Sequence, residues 1–137
     1  MNYQNIIADL KQDEGFRGMP YRDTRGFWTI GYGTKLPIDE REAQLLLEKR
    51  LNDTIVELRE RLDFFDELPE EAKEIVLNMA YNLGVPKFMH FKRMIAALRE
   101  GNFKKAAYEM RDSLWYRQVK DRARRLVYRM ERLSESI

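Results

Sequence analysis

The sequence predicts a mainly α protein of the α+β class, with a small β-containing part near its N-terminus. Two observations support this fold class. Apolar residues recur at helical spacing along most of the chain, including one long run over residues 39–64. Between residues 16 and 34 that period is lost, and aromatic β-formers alternate with turn residues. With 137 residues and 44% hydrophobic composition, the chain can form one domain, or two lobes that share a helix.

The first helix is predicted over residues 3–13, with Glu14 at its end. Three apolar residues recur there at helical spacing, and Gly15 can adopt the left-handed conformation that stops a helix. Residues 16–34 are predicted to form a hairpin or three short strands.

The longest helix is predicted over residues 39–64. Asp39 and Glu42 form a capping box at its start. Pro69 and two following glutamates suit the first turn of the next helix, which Gly84 ends. Shorter helices are predicted near 86–100, 102–112 and 119–134. The apolar series that defines the long helix is Leu47, Leu51, Ile55, Leu58, Leu62 and Phe65.

The charge distribution leaves two interpretations open. Residues 1–68 carry 10 basic and 14 acidic residues, near −4, whereas residues 69–137 carry 15 and 9, near +6. This asymmetry is typical of proteins that meet a polyanion, but solvated helix faces would produce it equally well.

Several classes of protein are disfavoured by what the sequence lacks. It has no cysteine, so disulfides and thiolate metal sites are excluded and a reducing cytosol would suit the chain. The lone His90 excludes a histidine-rich metal cluster and gives no support to a Ser-His-Asp triad. With no signal-like N-terminus and no apolar run of membrane-spanning length, synthesis in the cytoplasm is expected.

Three residues with oxygen-bearing side chains lie close together in the sequence, each in a different backbone context. Glu14 ends a helix, Asp23 lies in a glycine-bounded turn, and Thr29 follows on a strand. Two carboxylates can divide acid and base work during glycoside cleavage. Taken singly, each residue also has an ordinary interpretation, namely an exposed glutamate, a turn-forming aspartate and a β-branched strand residue.

The order and spacing of these residues resemble the phage-type lysozymes of the T-even type, glycoside hydrolase family 24. Two later segments extend the likeness over nearly the whole chain, one at residues 78–84 and one from Ser113 to Arg125. The N-terminal segments that match are Glu14-Gly15-Phe16-Arg17, Tyr21-Arg22-Asp23-Thr24-Arg25-Gly26 and Trp28-Thr29-Ile30-Gly31-Tyr32-Gly33.

The resemblance implies a lysozyme-like fold with a cleft between two lobes. A small β-hairpin lobe would span about 15–38, and the long helix over about 39–64 would connect it to a helical lobe. The helical lobe would comprise about 65–137 together with the N-terminal helix 3–14. The T-even enzyme carries a longer insertion after the glycine matching Gly33, so the small lobe should be reduced here.

The resemblance also implies roles for individual residues. Glu14 would be the general acid, and Asp23 with Thr29 would direct the attacking water. Sequence does not decide between inverting and retaining chemistry, which need carboxyl separations of about 6.5–9.5 Å and about 5–5.5 Å. Arg122 would pair with Glu14 across the cleft and orient it. Saccharide contacts would come from Tyr81, Asn82 and Gln118, although core packing is an equally good interpretation of Tyr81.

The activity implied is that of an endolysin muramidase, which cleaves the β-1,4 bond between N-acetylmuramic acid and N-acetylglucosamine in peptidoglycan. No cofactor and no nucleic-acid partner are expected, and the protein should be a monomer. It would be made in the host cytoplasm and reach the periplasmic wall with the help of a holin. A lytic transglycosylase remains open, although the water-handling pair favours hydrolysis. The alternative from another class is a non-catalytic polyanion or wall-binding module that uses the basic helix within residues 111–132.

Overall fold

The computed structural model describes residues 1–135. Those residues form eight α-helices and one three-stranded antiparallel sheet, which confirms the predicted mainly α, lysozyme-like fold. The chain divides into two compact units, residues 1–46 and residues 47 onward, with the boundary inside the long helix. The predicted lobe boundaries, with the N-terminal helix in the helical lobe, stay a prediction.

The first unit begins with helix α1, Tyr3–Glu14. The side chain of Asn2 caps it by accepting a hydrogen bond of 3.0 Å from the Asn5 amide. The helix stops where Gly15 takes a φ of 71°, a conformation that residues with a Cβ rarely adopt. The predicted helix and its end at Glu14 are therefore confirmed.

The sheet consists of strands β1 (Arg17–Arg22), β2 (Trp28–Gly31) and β3 (Thr34–Lys35), with β2 in the middle. This arrangement confirms the prediction of three short strands. Thr29 on the central strand lies opposite Tyr21 on one side and opposite Lys35 on the other. Residues directly opposite in antiparallel strands project from the same face of a sheet, so the register brings these side chains together.

Helix α2 spans Glu40–Arg61 and begins at the predicted capping box. The Asp39 amide donates to Glu42 Oε1 at 3.0 Å, and the Glu42 amide donates to Asp39 Oδ1 at 2.8 Å. The helix ends before the predicted residue 64, and a 3₁₀ turn follows at Phe65–Glu67. Phe64 and Phe65 are both buried, and consecutive residues of an α-helix project about 100° apart, so the chain leaves the helix to bury both rings.

As far as residue 135, the second unit continues with six helices after α2, in place of the four predicted. Met89–Phe91 form a turn that divides the predicted helix 86–100, because Phe91 leaves the helical conformation there. A further short helix was not predicted, and Ser113 Oγ caps it by accepting from the Tyr116 amide at 3.2 Å. The six are α3 (Glu70–Leu83), α4 (Val85–Phe88), α5 (Lys92–Arg99), α6 (Phe103–Arg111), α7 (Leu114–Val119) and α8 (Asp121–Glu135).

The apolar core of the described residues lies in the second unit. All of the buried hydrophobic side chains fall between Leu58 and Met130, and α8 packs against α3, α6 and α7. Phe91 lies edge-on to Trp115 with 6.2 Å between ring centroids, which fills the space beside the turn after α4. The largest side chains with less than 2% exposure are Phe88, Leu58, Leu62, Ile75, Met79, Met94, Leu98, Met110 and Met130.

Candidate active site

Glu14 is the last residue of α1, and its side chain lies directly against Gly33 in the turn between β2 and β3. A Cβ added to Gly33 would stand 2.5 Å from Glu14 Oε2 and 2.8 Å from Glu14 Cδ, too close for any real contact. Gly33 also has a φ of +76°, which disfavours other residues. Glu14 itself is exposed, and the side chain of neighbouring Phe16 is 68% exposed.

Asp23 lies in the turn between β1 and β2, as its Asp-Thr-x-Gly sequence predicts. Its Oδ1 atom accepts hydrogen bonds from the Arg25 amide at 2.9 Å and the Phe27 amide at 2.8 Å. The turn closes with a bond of 2.9 Å from the Gly26 amide to the Asp23 carbonyl. Two backbone donors therefore hold one carboxylate oxygen in a fixed orientation.

The other oxygen of Asp23 is bound by a lysine. Lys35 Nζ lies 2.6 Å from Asp23 Oδ2, and the side chain of Asp23 retains only 15% of its exposure. The hydrogen bond from Lys35 is the largest cause that lowers the pKa of Asp23, and the amide of Phe27 adds to it. The carboxylate form is therefore favoured to a lower pH than in an isolated aspartate.

Thr29 is completely buried, with no measurable exposure, on the central strand. Its hydroxyl donates to the Phe27 carbonyl at 2.9 Å, and the Asp23 amide donates to the same carbonyl, also at 2.9 Å. Because both groups meet at Phe27, the structure joins Asp23 and Thr29 in one hydrogen-bonded group. The Thr29 oxygen still has lone pairs that can accept a hydrogen bond.

The first unit contains all three residues predicted to be catalytic. Asp23 and Thr29 share Phe27, and Lys35 joins them from β3. Glu14 lies against Gly33, two residues before Lys35 in the chain.

Two predicted saccharide contacts lie at the C-terminal end of α3. Tyr81 is 36% exposed and Asn82 is exposed, whereas Met79 and Ala80 just before them are buried. Tyr81 therefore lies partly at the surface, and its contact with a saccharide stays a prediction. Gln118, the third predicted contact, is exposed on α7.

Arg122, near the start of α8, is bound to α3. Its Nε donates to Asn78 Oδ1 at 2.7 Å, and its Nη2 donates to the Asn78 carbonyl at 3.2 Å. Asn78 lies one helical turn before Asn82, so Arg122 fixes the part of α3 that carries the predicted saccharide contacts. The predicted pairing of Arg122 with Glu14 stays a prediction.

Much of the basic charge in the C-terminal half is bound to other parts of the same unit. Arg129 donates to Glu71 at 2.6 Å and to Glu74 at 3.1 Å, and Arg111 pairs with Glu131. The hydrogen bond from Arg129 lowers the pKa of Glu71 and raises the pKa of Arg129. These arginines stabilise the packing of α8, which weakens the idea that the helix is a dedicated polyanion-binding surface.

Other candidate sites have weaker support within residues 1–135. A hollow of about 590 Å³ beside the Arg111–Glu131 pair is lined by none of the predicted site residues. No cluster of three or more potential metal ligands occurs among the described residues. In the same part of the chain, no helix has the length and apolar character needed to cross a bilayer.

Comparison with known proteins shows the family to which this sequence belongs. Residues 11–132 match the family model described as phage lysozyme. The chain belongs to the phage lysozyme family. As a family member it is a glycoside hydrolase, a cell-wall hydrolase of the lysozyme type, so the non-catalytic alternative is not retained.

Several proteins from different sources are similar to this chain in sequence. "Probable T4-type lysozyme 1" of Dictyostelium discoideum is 28% identical, and the match covers 86% of this chain and 88% of that protein. The "Pre-baseplate central spike protein Gp5" of Enterobacteria phage T4 is 30% identical over 85% of this chain and 26% of that protein. "Peptidoglycan hydrolase gp36" of Pseudomonas phage phiKMV is 30% identical over 92% of this chain and 15% of that protein.

Two residues that shape this lysozyme-family site were not assigned roles from the sequence. Lys35 was missed because its contact depends on strand register, although three short strands had been predicted. Gly33 belongs to the family motif, but its role in making room for Glu14 depends on the approach of α1 to the turn, which the motif does not show. The register that pairs residue 35 with Thr29 brings Lys35 to Asp23, and a prediction of that register is what would have identified Lys35 as a site residue.

Proposed function

We propose that this protein is a muramidase that hydrolyses the β-1,4 bond between N-acetylmuramic acid and N-acetylglucosamine in bacterial peptidoglycan. The observation that carries the proposal is the carboxylate of Asp23, fixed by two backbone amides beside Thr29, in a unit that also presents exposed Glu14. Membership of the phage lysozyme family supports the substrate class.

Glu14 acts as the general acid. Its carboxyl group donates a proton to the glycosidic oxygen as the bond to the anomeric carbon breaks. The contact with Gly33 fixes the direction of the side chain, and the exposure of Glu14 leaves the carboxyl open to a sugar. A bound saccharide then covers the Glu14 carboxyl and shields it from bulk solvent.

Asp23 directs the water that attacks the anomeric carbon. Its Oδ1 is occupied by two amides, and its Oδ2 is bound once by Lys35, so Oδ2 keeps a lone pair for a proton of that water. Thr29 gives its own proton to the Phe27 carbonyl, which leaves its oxygen as an acceptor. Because Thr29 is fully buried in the free protein, its contact with the water requires an opening beside it when substrate binds.

The second unit supplies saccharide contacts in this proposal. Tyr81 offers an aromatic surface, while Asn82 and Gln118 offer amide groups, and all three are exposed. Arg122 orients Glu14 in the substrate complex while its bonds to Asn78 hold α3 in place. The protein acts as a monomer on the periplasmic wall, after release from the host cytoplasm through a membrane opening made by a holin.

Mass spectrometry of purified peptidoglycan digested with the protein tests the bond and the reaction. The wild type should release fragments with reducing N-acetylmuramic acid ends, and Asp23→Asn should release few or none. Asp53→Asn is the matched control, because Asp53 also pairs with a lysine, Lys49, at 2.5 Å, but on α2. Anhydro-sugar ends would show transglycosylase chemistry, and reducing N-acetylglucosamine ends would show that the other glycosidic bond is cut; either result contradicts the proposal.

A further inference from the structure

Lys35 is the residue on which this inference rests. Its ammonium lies 2.6 Å from Asp23 Oδ2, and β3 places it directly opposite Thr29 in the sheet. The pair joins residues 12 positions apart in the chain, so it depends on the folded sheet rather than on local turn geometry. The Lys35 side chain is 55% exposed, so the lysine remains in contact with solvent while it binds Asp23.

Neighbouring charges in the unit are engaged elsewhere. Arg22 donates to the Gly26 carbonyl at 3.1 Å and lies 4.5 Å from the centroid of the Trp28 ring. Arg25 lies over the Phe27 ring at 5.5 Å. Glu14, on α1, lies against Gly33 in the turn that precedes β3. Among the side chains of this unit, Lys35 is therefore the cation that bonds directly to the Asp23 carboxylate.

We propose that Lys35 is a positioning residue for hydrolysis, which holds Oδ2 of Asp23 and supplies the counter-charge that keeps this group a carboxylate. The inference rests on the proposed function, because it assigns Lys35 a role in the water-directing step. Oδ1 is already anchored by the amides of Arg25 and Phe27, so Lys35 mainly sets the charge of the group. It leaves the remaining lone pair of Oδ2 to the attacking water.

The direction in which Lys35 shifts the pH dependence of the cleavage rate follows from the charge of Asp23. A carboxylate that directs water must be ionised, and the bond from Lys35 lowers the pKa of Asp23. Activity should therefore persist into more acidic solution than an isolated aspartate would permit. When the lysine is removed, the pKa of Asp23 rises toward its ordinary value, and the acid limb of the rate profile moves upward with it.

Two substitutions test the proposal. Lys35→Met removes the charge and keeps the length of the side chain, whereas Lys35→Arg keeps a cation. Lys49→Met is the matched control, because Lys49 pairs with Asp53 in an exposed i,i+4 pair on α2. The carboxyl carbon of Asp23 is titrated by ¹³C NMR in each protein, and kcat and KM for peptidoglycan fragments are measured across acidic and neutral pH.

In Lys35→Met, the NMR titration of Asp23 and the acid limb of kcat should move upward together. At neutral pH, where Asp23 keeps its charge, kcat should still fall because Oδ2 is no longer held, but by less than in acid, and KM should stay near the wild-type value. Lys35→Arg and Lys49→Met should keep the wild-type titration and profile. An unchanged Asp23 titration would overturn the proposal, as would an acid limb that stays in place while Asp23 shifts.

Two other outcomes would also contradict the proposed role of Lys35. A rise in KM at every pH without movement of the acid limb would make Lys35 a substrate-binding residue and overturn the positioning role. If the wild-type protein cuts no peptidoglycan, the proposed function and the catalytic role of Lys35 fail together. The NMR titration separates the cases, because it reports the Asp23–Lys35 pair without reference to cleavage.

Discussion

Each of the two units of the chain is stabilised internally by a different kind of interaction. Residues from 47 onward contain the buried hydrophobic side chains of the described structure, whereas in residues 1–46 the fully buried side chain is the polar Thr29. The first unit is organised by backbone turns, the Asp23–Lys35 ion pair and cations stacked on rings, such as Arg17 on Tyr21 at 4.6 Å. The groups proposed for chemistry are therefore positioned by hydrogen bonds and ion pairs, whereas most of the buried apolar surface that stabilises the fold lies in the helical unit.

The largest effect should come from removing core volume in the helical unit. Ile75 is completely buried, so Ile75→Ala should lower the free energy of unfolding by about 2–5 kcal/mol. Met19→Ala is the matched truncation in the first unit; this side chain is 76% exposed, and its loss should change stability by about 0.5 kcal/mol or less. Urea unfolding followed by circular dichroism measures both. Equal destabilisation by the two substitutions would contradict the claim that the stability of the fold comes mainly from the core of the helical unit.

The next effect concerns the position of Glu14. Gly33→Ala should lower the rate of wall cleavage by about 100-fold, because the new Cβ displaces the Glu14 carboxylate. Gly31→Ala is the control: φ at Gly31 is +70°, but an added Cβ meets no atom within 4 Å. Both changes carry a backbone strain of about 1–2 kcal/mol, so the difference in kcat isolates the contact with Glu14. Similar rates for both variants would show that strain, and not displacement, causes the loss.

The smallest effect concerns an ion pair within the helical unit. Since Arg129 lowers the pKa of Glu71, the pair contributes stability above the unfolded pKa of this glutamate and loses it as pH falls through the folded value. Arg129→Gln should therefore cost about 1 kcal/mol or less at neutral pH, after solvent screening, and less still in acid. Urea unfolding at several pH values measures this trend.

Arg124→Gln is the control for that substitution, because Arg124 pairs with Asp121 at 3.5 Å on its own exposed helix turn. Its cost should be smaller than that of Arg129→Gln at neutral pH. A penalty for Arg129→Gln that grows as the solution becomes more acidic would contradict the assigned sign.

Local sequence signals predicted the fold where the structure depends on local geometry. The end of α1 at Gly15, the capping box at Asp39 and the turn that fixes Asp23 each arise from residues within four positions of one another. The six-residue helix α7 is too short for its apolar period to be detected, and the turn before α5 depends on ring packing with Trp115.

The same distinction between local signals and contacts of distant residues applies to the candidate site. Glu14, Asp23 and Thr29 could be proposed from the sequence because the segments that carry the family motif follow one another closely in the chain. Lys35 could not be, because only strand pairing brings it to Asp23. The burial of Thr29 could not be read from its sequence neighbours either, because it depends on how the sheet packs.

The central claim, that Glu14 provides the acid for cleavage without contributing to the stability of the fold, is tested most directly by comparing Glu14→Gln with Asp13→Asn. The two residues are adjacent and exposed at the end of α1, and each substitution replaces one carboxyl group by an amide. The rate at which new reducing ends form in purified peptidoglycan, and the free energy of unfolding, are measured on the same samples. Glu14→Gln should lose about 10²–10⁴-fold in rate with stability unchanged within about 0.5 kcal/mol, while Asp13→Asn stays near wild type. Cleavage by Glu14→Gln at the wild-type rate would contradict the claim.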